Sequence, residues 1–212
     1  LNFNNKGVTG LSRSSCPFLR TSIASDNTIN VKGCLLVNTR PRYLSNSINT
    51  ANGFNIAVIN SLLGKNDIRL TGKILSKKIN KNLTLIAVKN SKPLSQLVKI
   101  MLKKSDNIIA ETLFKKLGQR YSSQPGSWAN ASKAVKAIIG RQDKVNIDNS
   151  VLIDGSGLSH YNQTSPDELV SMLRAAYYNK ATSRYFMAAL PIGGIDGTLK
   201  YRMRNRFMRG RV

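Results

Sequence analysis

The spacing of Leu94, Leu97, Val98, Met101 and Leu102 restricts most narrowly what this chain folds into. Apolar residues at i, i+3, i+4, i+7 and i+8 lie on one side of a 3.6-residue helix, which must bury that side. Polarity interrupts the pattern at Lys103, Lys104 and Ser105. A second helix is expected from Asp106 to Leu117, with Gly118 as the residue that ends it. A turn at Gln124-Pro125-Gly126 precedes a third helix over Ser127 to Ile139, closing at Gly140. Ser165-Pro166-Asp167-Glu168 has the form of a capping box with proline at the first helical position, and predicts a helix from Pro166 to about Tyr178. A last helix covers Ser183 to Leu190 and stops at Pro191. The second half of the chain is therefore read as mostly helical.

The first half reads differently. Thr28 to Asn38 carries β-branched residues about a central glycine, as a strand or a bulged pair would. Ile68 to Gly72 and Leu83 to Val88 read as short strands. Phe54, Val58, Ile59 and Leu62 place a helix within Asn52 to Leu63. The fold class expected is mixed α/β. The two cysteines, Cys16 and Cys34, are too few for a multi-bridge framework or a four-cysteine zinc site. A Cys16–Cys34 disulfide and two free, buried thiols both remain open. One histidine, His160, excludes a His-rich metal site, and neither metal nor cofactor is expected. No apolar run approaches the ~20 residues of a membrane span. The chain opens on Leu1 without the pattern of a signal peptide, and is read as an internal piece of a longer protein.

Charge enters because it is lopsided. Lys and Arg number 33 against 10 Asp and Glu, a formal net charge of +23. Such an excess attracts polyanions: nucleic acid, anionic lipid head groups or an acidic wall polymer. The bases crowd between Lys65 and Lys104, where only Asp67 opposes them, and again from Lys200 to Arg211, where no acid does. The plain reading is a solvated basic surface.

Three segments carry residues suited to chemistry. Ser105-Asp106-Asn107 puts a hydroxyl, an acid and a carboxamide in the break between two apolar-faced helices, where a side chain reaches a cleft without leaving the core. The plain reading is a helix cap. Asp154 to Asn162 reads DGSGLSHYN; its two glycines follow Val151-Leu152-Ile153, taken as a short buried strand, and permit a sharp turn. It lacks the spacing and the lysine of a phosphate loop. Leu190 to Leu199 reads LPIGGIDGTL, and by itself means a tightly turned loop. Glu111, four residues beyond Asn107, shares its helix face and is read as a helix-packing or hydrogen-bonding anchor for that break rather than as a general base. Trp128, opening a helix, is read as packing.

Order and spacing of these segments, with Lys92-Pro93-Leu94 and Ala110-Glu111 beside them, resemble one family: the class C low-molecular-mass penicillin-binding proteins, the serine D-alanyl-D-alanine carboxypeptidases and endopeptidases of the bacterial cell wall. The resemblance is long across 92–203, weaker over 28–75 and poor over 1–25. It implies the helical lobe of a penicillin-recognising, transpeptidase-like domain over 89–212, and the tail of an inserted strand-rich domain over 1–88. It implies a nucleophilic serine in an S-x-x-K motif, with Ser105 relaying a proton to the leaving amine and Asn107 orienting the substrate amide. The DGSGLS loop then borders the cleft for the peptide stem, so Leu158 and His160 are expected to touch substrate. The family usually has Arg at the position of His160, and a guanidinium grips a carboxylate in a way neutral imidazole does not.

The sequence departs from the pattern in one large respect: residues 1–212 contain neither S-x-x-K nor K-T-G, the third motif the resemblance implies, which lines the opposite wall of the site and binds the substrate carboxylate. Alone, the chain is expected to be inactive. The partners implied are a peptidoglycan peptide and β-lactam antibiotics, in a periplasmic or otherwise extracytoplasmic bacterial setting. Association with a membrane surface or wall, and a homodimer covering apolar helix faces, are further expectations. The competing readings are a basic nucleic-acid-binding module, disfavoured by 7% aromatic content and the lack of a recognition motif, and a non-catalytic remnant that holds wall polymer by charge.

Overall fold

The computed structural model describes residues 2–211 except 13, 15, 17, 45, 78–83 and 144. Two compact units divide the chain, one over residues 1–86 and one over 87–212. Among the described residues there are three strands and six α-helices, a mixed α/β chain.

The first unit is built on a sheet of order β1-β3-β2, with β1 Phe3–Gly10, β2 Arg20–Ile23 and β3 Ile29–Leu36. β1 runs parallel to β3, Phe3 opposite Ile29, and β2 runs antiparallel, Ile23 opposite Ile29. The central strand is continuous rather than bulged. A disulfide joins Cys16 to Cys34, with Cα atoms 5.0 Å apart, which decides the cysteine question in favour of pairing. Asn27 is buried and takes up its own polarity: Oδ1 accepts from the amides of Asn49 (2.8 Å) and Thr50 (3.1 Å), and Nδ2 donates to the Thr50 carbonyl (2.8 Å). That junction delivers the chain into α1, Ala51–Lys65. Strands expected beyond α1 do not form. Residues Ile68 to Gly72 and Thr84 to Val88 are irregular, and Leu83 lies outside the described residues. A β-prone run becomes a strand only where a neighbour completes its backbone hydrogen bonds, and no described strand lies beside these segments.

The second unit is helical. It comprises α2 Leu94–Lys104, α3 Asn107–Ser122, α4 Trp128–Ile138, α5 Pro166–Tyr178 and α6 Ser183–Ala189. The expected amphipathic helix, the capping box and the last helix are all present. Ser165 Oγ accepts from the Glu168 amide (3.2 Å), and Glu168 Oε2 accepts from the Ser165 amide (2.9 Å). A second capping box, Ser127 with Asn130, opens α4.

Three further expectations are corrected, all in this unit. Gly118 does not end α3, which continues for another turn to Ser122. The glycine is buried against α4, and a Cβ there would stand 2.6 Å from the Ala131 nitrogen. Its missing side chain lets two helices meet, a role that composition does not distinguish from a stop signal. Gly140 lies inside a π-helical turn, Ile139–Asp143, that prolongs α4. Val151-Leu152-Ile153 is neither a strand nor buried. One antiparallel bridge ties Val151 to Gln163, and the Ile153 amide donates instead to Asn162 Oδ1 (2.8 Å). The buried core of this unit is Phe114, Ala131, Ala134, Val145, Ile147 and Ala189.

Candidate active site

The site starts at the junction of α2 and α3. Ser105 ends α2 in the left-handed conformation, φ 55° and ψ 51°. Its own amide and that of Asp106 both donate to the Met101 carbonyl, the closing pattern in which glycine is usual. A side chain bearing a Cβ costs roughly 1–2 kcal/mol in that conformation, so surrounding structure must hold it. Asp106 begins α3: its Oδ1 accepts from the Ile109 amide at 3.0 Å. The cap therefore falls on Asp106, which leaves the Ser105 and Asn107 side chains exposed on either side of it.

Opposite stands the 154–162 turn, which is braced from within. Asp154 Oδ1 accepts from the Gly157 amide (2.7 Å) and from Asn162 Nδ2 (3.0 Å), and Oδ2 accepts from the Ser159 amide (2.7 Å). Partial burial pushes the Asp154 carboxyl up. The Asn162 amide and the Gly157, Ser159 and Ser156 backbone outweigh that and hold it below the usual carboxylate value. Asp154 and Asn162 thus shape the loop. Gly155 seats it on α3: a Cβ there would come 2.4 Å from Phe114 Cβ and 2.9 Å from the Ala110 carbonyl.

Glu111 joins the two halves. Its Oε1 accepts from the Ser156 amide (3.2 Å), and its Oε2 accepts from Trp128 Nε1 (2.7 Å). The carboxylate fastens the turn and the first residue of α4 to α3, an anchoring part in keeping with the sequence. Lys115 Nζ lies 3.4 Å from the centroid of the Trp128 ring, a cation–π contact.

Between these elements opens a cavity of about 740 Å³. α3 contributes Asn107, Ile108, Glu111, Thr112 and Lys115 to its lining, and the far side is formed by Trp128, Ile153, Asp154, Ser156 and Leu158. Asn107 and Leu158 are brought together on one cavity, 51 positions apart in the chain. Ser105 and His160 are not among the described lining residues. Ser105 is exposed at the helix junction, two positions before Asn107, and His160 is exposed within the 154–162 turn. The lining combines the Asn107 carboxamide, the Glu111 and Asp154 carboxylates, the Lys115 ammonium and the Thr112 and Ser156 hydroxyls with the apolar side chains of Ile108, Trp128, Ile153 and Leu158. Sequence reasoning passed over Thr112 and Lys115, whose only signal was their i+4 and i+8 spacing from Ile108 and Asn107 along α3.

Known proteins match this chain in sequence and in fold. The model of the D-Ala-D-Ala carboxypeptidase 3 (S13) family matches residues 1–212. The chain is 35% identical over 180 residues to the D-alanyl-D-alanine carboxypeptidase DacB of Haemophilus influenzae, covering 85% of this chain and 37% of that one. It is 26% identical over 219 residues to a D-alanyl-D-alanine carboxypeptidase of Actinomadura, covering 99% of this chain and 40% of that one. Crystal structures of penicillin binding protein 4 from Haemophilus influenzae superpose with a TM-score of 0.80, and of 0.77 for its β-lactam complex, both at 32% identity. They cover 99% and 98% of this chain but 47% and 49% of theirs. The chain therefore spans less than half the length of these relatives. A match over its whole length, to a family met first in three ordered motifs, leaves one conclusion: the chain belongs to the D-Ala-D-Ala carboxypeptidase 3 (S13) family.

Proposed function

We propose that this chain supplies one wall of the active site of a bacterial serine-type D-Ala-D-Ala carboxypeptidase/endopeptidase that acts on peptidoglycan stem peptides and is acylated by β-lactams. The observation that carries it is the meeting of Asn107 and Leu158 on one cavity, with Ser105 beside it at the α2–α3 junction. In this reading the nucleophilic serine belongs to an S-x-x-K motif elsewhere in the protein. Its oxygen attacks the carbonyl carbon of the penultimate D-Ala, and the C–N bond to the terminal D-Ala breaks. Ser105 Oγ passes a proton to the departing amine, and water then hydrolyses the acyl-serine ester, restoring the serine hydroxyl. Asn107 donates its amide to the substrate peptide. Leu158 packs against the stem, and exposed His160 meets it farther out.

The same reading assigns residues 1–88 to the end of an inserted strand-rich domain and 89–212 to the helical lobe of the transpeptidase-like domain. It places the protein outside the cytoplasm, with which the Cys16–Cys34 bridge agrees. The basic surface suits contact with a wall or membrane surface, and apolar faces on the helices suit a homodimer. The test is to incubate the full-length protein with labelled penicillin and with an acyl-D-Ala-D-Ala peptide. A serine ester and released D-Ala are expected, with Asn107→Ala lowering kcat/KM about 10²-fold, as loss of one positioned transition-state donor does. Absence of any ester in the wild type overturns the assignment.

A further inference from the structure

With 10 acids for 33 bases, most cations of this chain have no acid of their own. One ion pair closes among the described residues, and it stands two positions before Ser105. Lys103 lies in the last turn of α2. Its ammonium pairs with Asp196 Oδ2 and donates to the Leu190 carbonyl at 2.9 Å. The second oxygen of Asp196 accepts from the Ile192 amide at 2.9 Å. The Lys103 side chain is 14% exposed and that of Asp196 38%, so the lysine end of the pair is the sheltered one. The backbone repeats the contact: Gly197 has φ +58°, and a Cβ there would approach the Lys103 carbonyl to 3.0 Å. The 190–199 loop is thus clamped onto the helix end from which Ser105 projects, by charge and by close backbone approach. A compact ammonium with three donors serves a carbonyl and a carboxylate at once. Lys104, one residue on, is exposed and makes neither contact.

We propose that Lys103 and Asp196 are positioning residues, which tie the 190–199 loop to the last turn of α2 and so hold Ser105 in its left-handed conformation beside Asn107. The LPIGGIDGTL segment thereby acts on the site through Lys103. The proposal rests on the reading of Ser105 and Asn107 given above.

The experiment compares full-length wild type with Lys103→Met, Asp196→Asn, Lys103→Arg and the control Lys104→Met. Release of D-Ala from an acyl-D-Ala-D-Ala peptide is measured together with hydrogen exchange of the 101–109 segment. In Lys103→Met and Asp196→Asn, kcat is expected to fall about 10²-fold, the cost of a displaced catalytic group. KM should stay within about twofold, and exchange at 104–106 should quicken about tenfold. Lys103→Arg should recover most of kcat, and Lys104→Met should match wild type. If both uncharged variants keep wild-type kcat and exchange, or lose thermal stability alone, the proposal is overturned. An inactive wild type refutes the peptidase reading, while the exchange data still decide whether the pair holds the helix end. Should Lys103→Met fail to fold, Asp196→Asn, whose side chain is the more exposed, decides the matter.

Discussion

Replacing Glu111 separates the parts of the site in a way that can be weighed in advance. Its carboxylate accepts two hydrogen bonds, from the Ser156 amide and from the Trp128 indole, and both partners are donors only. Hydrogen bonds to a charged group contribute about 1.5–3 kcal/mol each. Trp128 is 50% exposed, and its N–H finds water when released, whereas the Ser156 amide is part-buried and is left without a partner. Glu111→Ala should therefore cost about 2–3 kcal/mol, nearly all of it from the stranded Ser156 amide, since the indole regains a partner in water. Glu111→Gln keeps one acceptor oxygen but presents an N–H₂ to the second donor, so about half that loss is expected, near 1 kcal/mol. With a urea slope of about 2 kcal/mol per M, the midpoints fall by about 1 M and 0.5 M. The chain has one tryptophan, so acrylamide quenching of Trp128 reads the same event at the site and should increase in both variants, more in alanine. Equal midpoints for the two variants, or quenching unchanged in alanine, would refute the clamp.

Two further outcomes follow from the geometry. The Asp154 carboxyl is held below its ordinary value of 3.8, so the bracing of the 154–159 turn is present above that value and is lost as pH falls through the lower, folded-state value. Amide protection factors at Gly157 and Ser159, corrected for the pH dependence of intrinsic exchange, should hold from about pH 7 to 5 and fall only below the ordinary value of 3.8; loss of protection already at pH 5 contradicts the assignment. Reduction of Cys16–Cys34 opens a loop of 18 positions and should cost about 2–4 kcal/mol in the first unit. Urea unfolding with and without reductant, followed by far-UV circular dichroism, measures it, and an unchanged midpoint rejects it.

Much of the second unit was legible beforehand, because its signals are local. A helix face recurs within eight residues, and a capping box closes within four, so Leu94–Lys104 and Pro166–Tyr178 declare themselves. The strands at Phe3–Gly10 and Arg20–Ile23 did not, since a strand is stabilised by the neighbour it meets rather than by its own sequence. For the same reason Ile68 to Gly72 looked like a strand and is not one. Gly118 was misread because a glycine that ends a helix and one that admits a second helix look identical in a linear chain.

The candidate site divides along the same line. Motif order named Ser105, Asn107 and the 154–162 turn, and that order determined the family. Through the resemblance it also implied one cleft for Asn107 and Leu158, but it did not bring Glu111 to Ser156 across 45 positions or set Lys103 against Asp196 across 93. Local periodicity and caps depend on backbone geometry within a few residues, which any stretch of chain carries with it. Pairings at that range exist only after packing has chosen which surfaces meet, and that choice belongs to the folded unit as a whole.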